Sequence, residues 1–240
     1  MPTIFWAGDS TVQYNDIITY PQTGIGQVMH LFLKPEITVE NHAKNGRSTK
    51  SFIDESRMVP IYDRITKGDF LFVQFGHNDE KLHDPLRGTE PNGEFMINLE
   101  KFVNVARNKG AYPVFITPLE RRCFVEEHKL GAGEHLAYVN AMKQTAENLN
   151  VPLVDLYSMS RAEMEKAGAA KTTEWFMHLP EGVYPYHMEG LTDNTHLKYA
   201  GAVVFAGCIA RGLKKLGGIY EDLLVDFGEA EKEHETTLER

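Results

Sequence analysis

The sequence predicts an α/β protein: a five-stranded parallel sheet with helices on both faces, forming a three-layer α/β/α sandwich. Short apolar runs alternate along the chain with helix-length segments whose apolar residues recur at spacings of three and four. The run at residues 70–75 is nearly continuous in apolar side chains, which is typical of a parallel strand buried on both faces. This alternation predicts right-handed crossovers between neighbouring strands.

The strands and helices are predicted from these runs in chain order. The apolar runs that predict strands are Thr3–Ala7, Ile37–His42, Asp69–Phe75, Tyr112–Thr117 and Pro152–Leu156. The segments with helical periodicity are Gly26–Lys34, Phe95–Lys109, Glu134–Asn150 and Lys198–Leu216. In the third helix, one stripe holds Leu136, Val139, Met142, Ala146 and Leu149.

Length and composition favour one domain over residues 1–220, followed by an acidic tail over residues 221–240. The formal charge of −9 argues against nonspecific nucleic-acid binding, which needs clustered basic residues. A few local basic residues can still bind an acidic substrate. No apolar run approaches the roughly 18–20 residues that cross a membrane, so no membrane contact is predicted.

The two cysteines, Cys123 and Cys208, have no metal-binding or redox spacing. They are predicted to be free thiols in a reducing compartment, with a single disulfide as the other possibility. The chain starts directly with strand-like sequence, without a basic and then apolar leader. The expected location is the cytoplasm.

Two segments at opposite ends of the chain supply candidate catalytic residues. Ser10 follows the first predicted strand in Gly-Asp-Ser-Thr, where a helix N-terminus would favour developing negative charge. Asp193 precedes His196 by three residues, at the predicted start of the last helix, and can orient its ring. A serine nucleophile, a histidine base and an orienting carboxylate indicate acyl transfer.

Two further segments at strand ends supply candidate oxyanion donors. Gly46 follows the second strand in Asn-Gly-Arg-Ser and can present an unobstructed N–H. Asn78 follows the third strand in Gly-His-Asn-Asp, and its side-chain amide suits a tetrahedral oxyanion. Each segment alone is also explained by an ordinary turn or helix cap.

Together these four segments resemble the SGNH (GDSL-type) hydrolases, and most of all the rhamnogalacturonan acetylesterases within them. The resemblance covers residues 3 to about 216 and rests on four segments in the family's order. It implies a flavodoxin-like SGNH hydrolase fold, with Ser10, Asp193 and His196 as the catalytic residues. The backbone N–H groups of Ser10 and Gly46 and the Asn78 side chain would form the oxyanion hole. That subfamily often has Gly-Trp-Gly where this chain has Gly24-Ile25-Gly26, so an aromatic platform for a sugar is expected to be missing.

The implied reaction is removal of O-acetyl groups from a pectin-derived, uronate-containing oligosaccharide through an acyl-serine intermediate, with no metal or organic cofactor. Arg47 and His187 are the candidate substrate-binding residues, and further basic residues in predicted loops are candidates for contact with carboxylates. These further residues are Lys81, Arg87, Arg121 and Arg122. The acetyl position, the accepted glycan length and the oligomeric state are not predicted.

Other functions compete with this one. Another SGNH activity, such as acetylxylan esterase, sialate O-acetylesterase, lipase or thioesterase, is the nearest alternative. A metal-dependent hydrolase using His187, Asp193, His196 and His77 or Asp79 would need a ligand spacing that the sequence lacks. A noncatalytic glycan-binding module is a third class. Nucleotide binding is weakest, because the Gly24-Ile25-Gly26 segment lacks a third glycine.

Overall fold

A computed structural model describes residues 1–226 of the chain. Within that range the strands are β1 (Thr3–Gly8), β2 (Thr38–Asn41), β3 (Phe70–Gln74), β4 (Tyr112–Ile116), β5 (Phe124–Glu126), β6 (Lys129–Leu130), β7 (Leu153–Val154), β8 (Phe176–Leu179) and β9 (Leu191–Leu197). The helices are α1 (Ile25–Val28), α2 (Thr49–Asp54), α3 (Val59–Arg64), α4 (Met96–Asn108), α5 (Leu136–Leu149), α6 (Leu156–Ala167), α7 (Ala169–Thr172) and α8 (Tyr199–Leu216).

The main sheet has five strands in the order β2-β1-β3-β4-β7. Every neighbouring pair in it is parallel. This is the flavodoxin-like order, in which the chain moves outward in one direction and then in the other. The predicted fold class is therefore confirmed, and each of the five predicted strand segments overlaps one strand of the sheet.

The strand pleat directs alternate side chains of β1 into two hydrophobic cores. Ile4 and Trp6 are fully buried in a core shared with α1, α6 and α8. Phe5 and Ala7 point to the opposite face and pack with α2, α3, α4 and α5. Helices thus cover both faces of the sheet, which explains why its central strands are apolar on both sides.

The helices α2 and α6 are among the elements that were not predicted. Ser48 caps α2 by accepting a hydrogen bond from Ser51 N, and Asp155 caps α6 by accepting one from Ser158 N. The predicted fifth strand ends early, because Asp155 and Leu156 already belong to the start of α6. The predicted helix at Gly26–Lys34 is only one turn of α1, followed by a 3-10 helix over Met29–Phe32.

Two antiparallel hairpins lie outside the main sheet: β5 with β6, and β8 with β9. In the second, Phe176 pairs with Leu197 and Leu179 pairs with Leu191. Asp193 and His196 therefore lie in β9 and not, as predicted, at the start of the last helix. Leu197 also accepts a hydrogen bond from Thr23 N (2.8 Å), which ties β9 to the loop before α1.

The chain continues to pack on the domain beyond residue 220. A 3-10 helix covers Gly218–Leu223, and the side chains of Leu223 and Leu224 are buried in the core. Leu224 also forms an isolated antiparallel bridge with Leu33. Leu223 and Leu224 lie within the predicted tail at residues 221–240 but pack on the domain. The remainder of the predicted tail lies outside the described residues. None of the helices within residues 1–226 combines the length and hydrophobicity that a transmembrane span requires.

Candidate active site

The order of the strands brings three of the predicted site segments together. β1 lies between β2 and β3, and all three strands run in the same direction. Their carboxyl ends therefore meet at one edge of the sheet, which is the usual place for a site in an open α/β fold. Ser10, Gly46 and Asn78 follow these three strands in the chain.

Ser10 lies in a single tight turn directly after β1. The carbonyl of Asp9 accepts hydrogen bonds from Val12 N (3.2 Å) and Gln13 N (3.1 Å). The Asp9 carboxylate accepts two more, from Thr11 N (2.9 Å) and Thr11 Oγ1 (2.8 Å). The predicted helix N-terminus at Ser10 is absent, because the next helical segment within residues 1–226 is a 3-10 helix at Ile17–Thr19 and the next α-helix begins at Ile25. The buried Asp9 side chain therefore stabilises the turn that carries Ser10.

The side chains of Ser10, His196 and Asp193 form one hydrogen-bonded row. His196 Nε2 lies 2.9 Å from Ser10 Oγ, and His196 Nδ1 lies 2.7 Å from Asp193 Oδ2. The other oxygen of Asp193 accepts hydrogen bonds from Thr195 N (2.7 Å) and His196 N (2.9 Å). The carboxylate therefore holds both the ring and the backbone of the histidine segment.

The electrostatics of Asp193 keep it ionised. Burial alone would raise its pKa, but the hydrogen bond and charge of the His196 ring, with the two backbone N–H donors, lower the pKa to about 2. An ionised carboxylate accepts a proton only weakly at neutral pH, so the proton on Nδ1 stays with the ring. Nε2 is then free to accept a proton from Ser10 Oγ.

Three N–H groups of the predicted oxyanion hole have no hydrogen-bond acceptor among the described residues. Gly46 has a φ of +77°, a conformation that favours glycine. Within residues 1–226, neither Ser10 N nor Gly46 N has a hydrogen-bond acceptor. Asn78 donates one side-chain N–H to the Arg47 carbonyl (3.1 Å), which leaves its second N–H without an acceptor among the described residues.

Lys81 sets the orientation of the Asn78 amide. Its ammonium donates to Asn78 Oδ1 at 2.8 Å. Because an ammonium is a donor only, the amide oxygen must face it and the amide nitrogen must face Arg47. The sequence singled out Lys81 only as a possible substrate contact, since a lysine three residues after an asparagine does not reveal this pairing.

A buried histidine lies beneath the serine turn. His77 Nδ1 is 3.4 Å from Asp9 Oδ2, and the His77 and His135 ring centroids are 4.2 Å apart. Burial and the neighbouring His135 lower the pKa of His77 to about 4, against the opposing effect of Asp9. Burial raises the pKa of Asp9, but the adjacent His77 ring and the Thr11 hydrogen bonds lower it overall. His77 is therefore neutral at neutral pH and supports the turn from below.

Two arginines that follow β4 bind the β9 segment. Arg121 donates to Thr195 Oγ1 (2.8 Å) and to Glu80 Oε1 (2.7 Å). Arg122 N donates to the Asn194 carbonyl (2.9 Å), and its guanidinium donates to Asn194 Oδ1 (3.2 Å). These arginines were predicted to contact substrate carboxylates, but their hydrogen bonds go to the chain itself. They fix the two residues between Asp193 and His196.

The two predicted substrate-binding residues lie in different surroundings. Arg47 donates from Nε to Glu55 (2.9 Å) and from Nη1 to the Asn45 carbonyl (2.9 Å), so only Nη2 is uncommitted among the described groups. His187 lies in the connection between β8 and β9, and its Nε2 is buried without a partner within residues 1–226. No hydrogen bond joins its ring to Ser10, Asp193 or His196 in that range. Their role in substrate binding stays a prediction.

The segment Gly24-Ile25-Gly26 has a packing role. A Cβ on Gly24 would lie 2.2 Å from the Gln13 carbonyl, and one on Gly26 would lie 2.4 Å from Asn41 Nδ2. Ile25 is fully buried in the core on the α8 side of the sheet. Position 25 therefore faces the core and not a cleft, so its side chain does not contact a ligand, and the expected absence of an aromatic platform stays a prediction.

The residues proposed for a metal site are dispersed or already satisfied. Asp79 is buried and accepts hydrogen bonds from Thr49 N (3.0 Å), Thr49 Oγ1 (2.5 Å) and Thr89 Oγ1 (3.0 Å). Burial raises its pKa to about 7, although these hydrogen bonds oppose the change. In the part of the chain that the structure describes, no three His, Cys, Asp or Glu side chains are grouped so as to hold a metal ion.

The fold and the row of Ser10, His196 and Asp193 define a hydrolase that carries a serine, histidine and aspartate at the carboxyl edge of a parallel sheet. A sequence profile of the GDSL-like Lipase/Acylhydrolase family matches residues 7–202. The chain belongs to this family and is a carboxylic ester hydrolase.

Two curated relatives come from Bacillus subtilis (strain 168). A rhamnogalacturonan acetylesterase is 40% identical over 226 residues, which cover 92% of this chain and 94% of the relative. A probable rhamnogalacturonan acetylesterase is 41% identical over 217 residues, which cover 89% of this chain and 93% of the relative.

Solved structures share the fold. The crystal structure of the Bacillus subtilis protein YXIM superposes with a TM-score of 0.76 at 26% identity, covering 90% of this chain. The match covers only 57% of that longer protein. An acetylxylan esterase from Geobacillus stearothermophilus has a TM-score of 0.59 at 16% identity, covering 88% of this chain and 93% of its own.

Proposed function

We propose that the protein is a carbohydrate acetylesterase that removes O-acetyl groups from pectin-derived rhamnogalacturonan oligosaccharides through an acyl-serine intermediate. The observation that carries the chemistry is the row from Ser10 Oγ through His196 to Asp193, with distances of 2.9 Å and 2.7 Å. The substrate class is supported by the names of the two Bacillus relatives, which share 40% and 41% identity with nearly the whole chain.

In the proposed acylation step, Ser10 Oγ attacks the acetyl carbonyl carbon while His196 Nε2 takes the hydroxyl proton. Asp193 stabilises the imidazolium that forms, because it stays ionised at neutral pH. The tetrahedral oxyanion accepts hydrogen bonds from Ser10 N, Gly46 N and the free N–H of Asn78. The bond between the acetyl carbon and the sugar oxygen then breaks, and His196 returns the proton to that oxygen.

In the proposed deacylation step, a water molecule takes the place of the sugar alcohol. His196 Nε2 removes one water proton as the water oxygen attacks the acetyl-Ser10 carbonyl. The same donors hold the second oxyanion. When the bond to Ser10 Oγ breaks, His196 returns the proton to the serine, and acetate leaves. None of these steps needs a metal or an organic cofactor.

Acetate release from defined acetylated rhamnogalacturonan oligosaccharides, by wild type and Ser10→Ala in parallel, tests the assignment. We expect release by wild type and none by Ser10→Ala, whose circular dichroism and melting temperature should match wild type. Full activity in Ser10→Ala would refute the serine mechanism. A clear preference for p-nitrophenyl esters of long acyl chains would refute the carbohydrate substrate. The cytoplasmic location stays a prediction from the sequence, and cell fractionation would test it.

A further inference from the structure

Lys81 differs from Arg47 and Arg121, two other basic residues near the strand ends, in how its charge is paired. Arg47 is paired with Glu55 (2.9 Å), and Arg121 is paired with Glu80 (2.7 Å). Lys81 is not paired with a carboxylate anywhere within residues 1–226, and the only hydrogen bond of its ammonium group in that range goes to the neutral amide of Asn78 (2.8 Å).

The surroundings of Lys81 disfavour an isolated cation. The residue is partly buried, and burial lowers its pKa. The charges of Arg87 and Arg121 lower the pKa further, while Glu80 and Asp9 raise it by less. An anion placed beside the ammonium would therefore relieve both the desolvation and the repulsion.

Arg87 brings a second positive group to the same place. A Cβ placed on Gly46 would find one neighbour within 4 Å, Arg87 Nη1 at 4.0 Å, so this guanidinium borders the open space above Gly46. Its Nε donates to Asp84 Oδ2 (2.6 Å), and its side chain is 34% exposed. Its Nη groups have no hydrogen-bond acceptor within residues 1–226, so they can donate to a ligand.

We propose that Lys81 and Arg87 form an anion subsite that binds a carboxylate of the substrate, on the acetylated sugar or on its neighbour. This inference rests on the proposed function and assigns the uronate contact to these two residues. Lys81 contacts Asn78 and Arg87 borders Gly46, so both cations flank the predicted oxyanion donors. A carboxylate held there lies close to the ester that reacts. Ammonium and guanidinium donors also bind carboxylates more strongly than neutral donors do.

Matched substrates separate this role from a general effect on the reaction. One is an acetylated, uronate-containing oligosaccharide, and the other is its carboxyl-reduced counterpart with the same acetyl groups. For wild type, Lys81→Met and Arg87→Met, the quantity to compare is the ratio of kcat/KM on the charged substrate to that on the reduced one. Any disturbance of Asn78 by the loss of Lys81 acts on both substrates and cancels in this ratio.

We expect the wild-type ratio to exceed 1 and to fall about fivefold in each variant, which corresponds to ~1 kcal/mol. The decrease should appear mainly as a higher KM on the charged substrate and should weaken in wild type as ionic strength rises. Lys129→Met removes an exposed lysine that pairs with Glu126, and this control should keep the wild-type ratio.

An unchanged ratio in both variants, with acetate still released from both substrates, would overturn the anion subsite and leave the proposed function intact. Equal losses on the two substrates would also overturn it, because the cations would then act on the reacting oxygen and not on a substrate carboxylate. Absence of acetate release from either substrate by wild type would overturn the proposed function, and the subsite with it.

Discussion

Arg121 is predicted to be a structural clamp whose removal weakens both the fold and the catalytic row. Its guanidinium joins Glu80, which follows β3, to Thr195, which precedes His196. In Arg121→Met, the Glu80 carboxylate keeps only the hydrogen bond with His135 Nδ1 (2.7 Å) among its partners in residues 1–226. Thr195 Oγ1 loses its charged donor at the same time.

The size of the effect follows from how buried this ion pair is. The side chains of Arg121 and Glu80 are 22% and 19% exposed. Breaking a fully buried pair costs about 3–5 kcal/mol, while an exposed pair contributes about 0.2–1 kcal/mol. For a pair that is about four-fifths buried we expect a loss of about 2–3 kcal/mol in the free energy of unfolding. At roughly 2–4 °C per kcal/mol for a chain of this length, the melting temperature should fall by roughly 4–12 °C.

Chemical denaturation and thermal melting at neutral pH measure the stability, and acetate release measures the reaction. Because a misplacement of about 1 Å can cost on the order of 100-fold in rate, we expect kcat to fall between about 10-fold and 100-fold. Arg64→Met is the matched control: it removes an arginine that pairs with Glu40 (2.7 Å) but is 63% exposed, so its cost should stay under about 1 kcal/mol.

Two results would refute the clamp. One is an Arg121→Met protein whose free energy of unfolding and kcat match those of Arg64→Met. The other comes from Glu80→Gln combined with Arg121→Met: because Glu80 and Arg121 contact each other, the double variant should lose less stability than the sum of the single variants. Full additivity would show that the contact contributes nothing.

Three more predictions follow from the site and its support. Asn78→Ala should lower kcat about 10²- to 10³-fold with little change in KM. A rise in KM of that size with an unchanged kcat would show that Asn78 is not an oxyanion donor. Asp193, whose pKa falls from 3.8 to about 2 on folding, should stabilise the protein above pH 4 and lose this effect as pH falls towards 2. The stability gap between wild type and Asp193→Asn should therefore shrink over that range, by less than ~2.4 kcal/mol because the side chain is 24% exposed; a gap independent of pH would contradict this. Gly24→Ala places a Cβ 2.2 Å from the Gln13 carbonyl and should cost at least about 1–3 kcal/mol in denaturant melts, whereas an unchanged midpoint would show that the loop adapts.

The sheet was predictable from the sequence because parallel strands buried on both faces appear as short apolar runs. Residues 70–75 are the clearest case, since β3 is buried along its whole length. The end of β7 was less predictable, because Leu156 suits a strand and a helix equally. Asp155 is the residue that indicates a helix start here, because aspartate is a common N-cap and its side chain accepts a hydrogen bond from Ser158 N.

The row of Ser10, Asp193 and His196 was predicted from residue types, and the structure brings these side chains together. The residues that hold this row in place were not predictable, because their contacts join positions far apart in the chain. Arg121 and Thr195 are separated by 74 positions, and His135 and Glu80 by 55. An arginine after a strand end has the same sequence appearance whether it binds substrate or a distant threonine.

In the hairpin that carries His196, the strand that holds the histidine and the connection that forms the exposed surface are different segments. β9 is held by Arg122 at Asn194, by Arg121 at Thr195 and by Thr23 at Leu197. None of these anchors involves the connection between Leu179 and Leu191, whose outer face includes the exposed side chains of Val183, Tyr186 and Met188. We therefore expect that exchange of these three exposed side chains leaves the histidine in place.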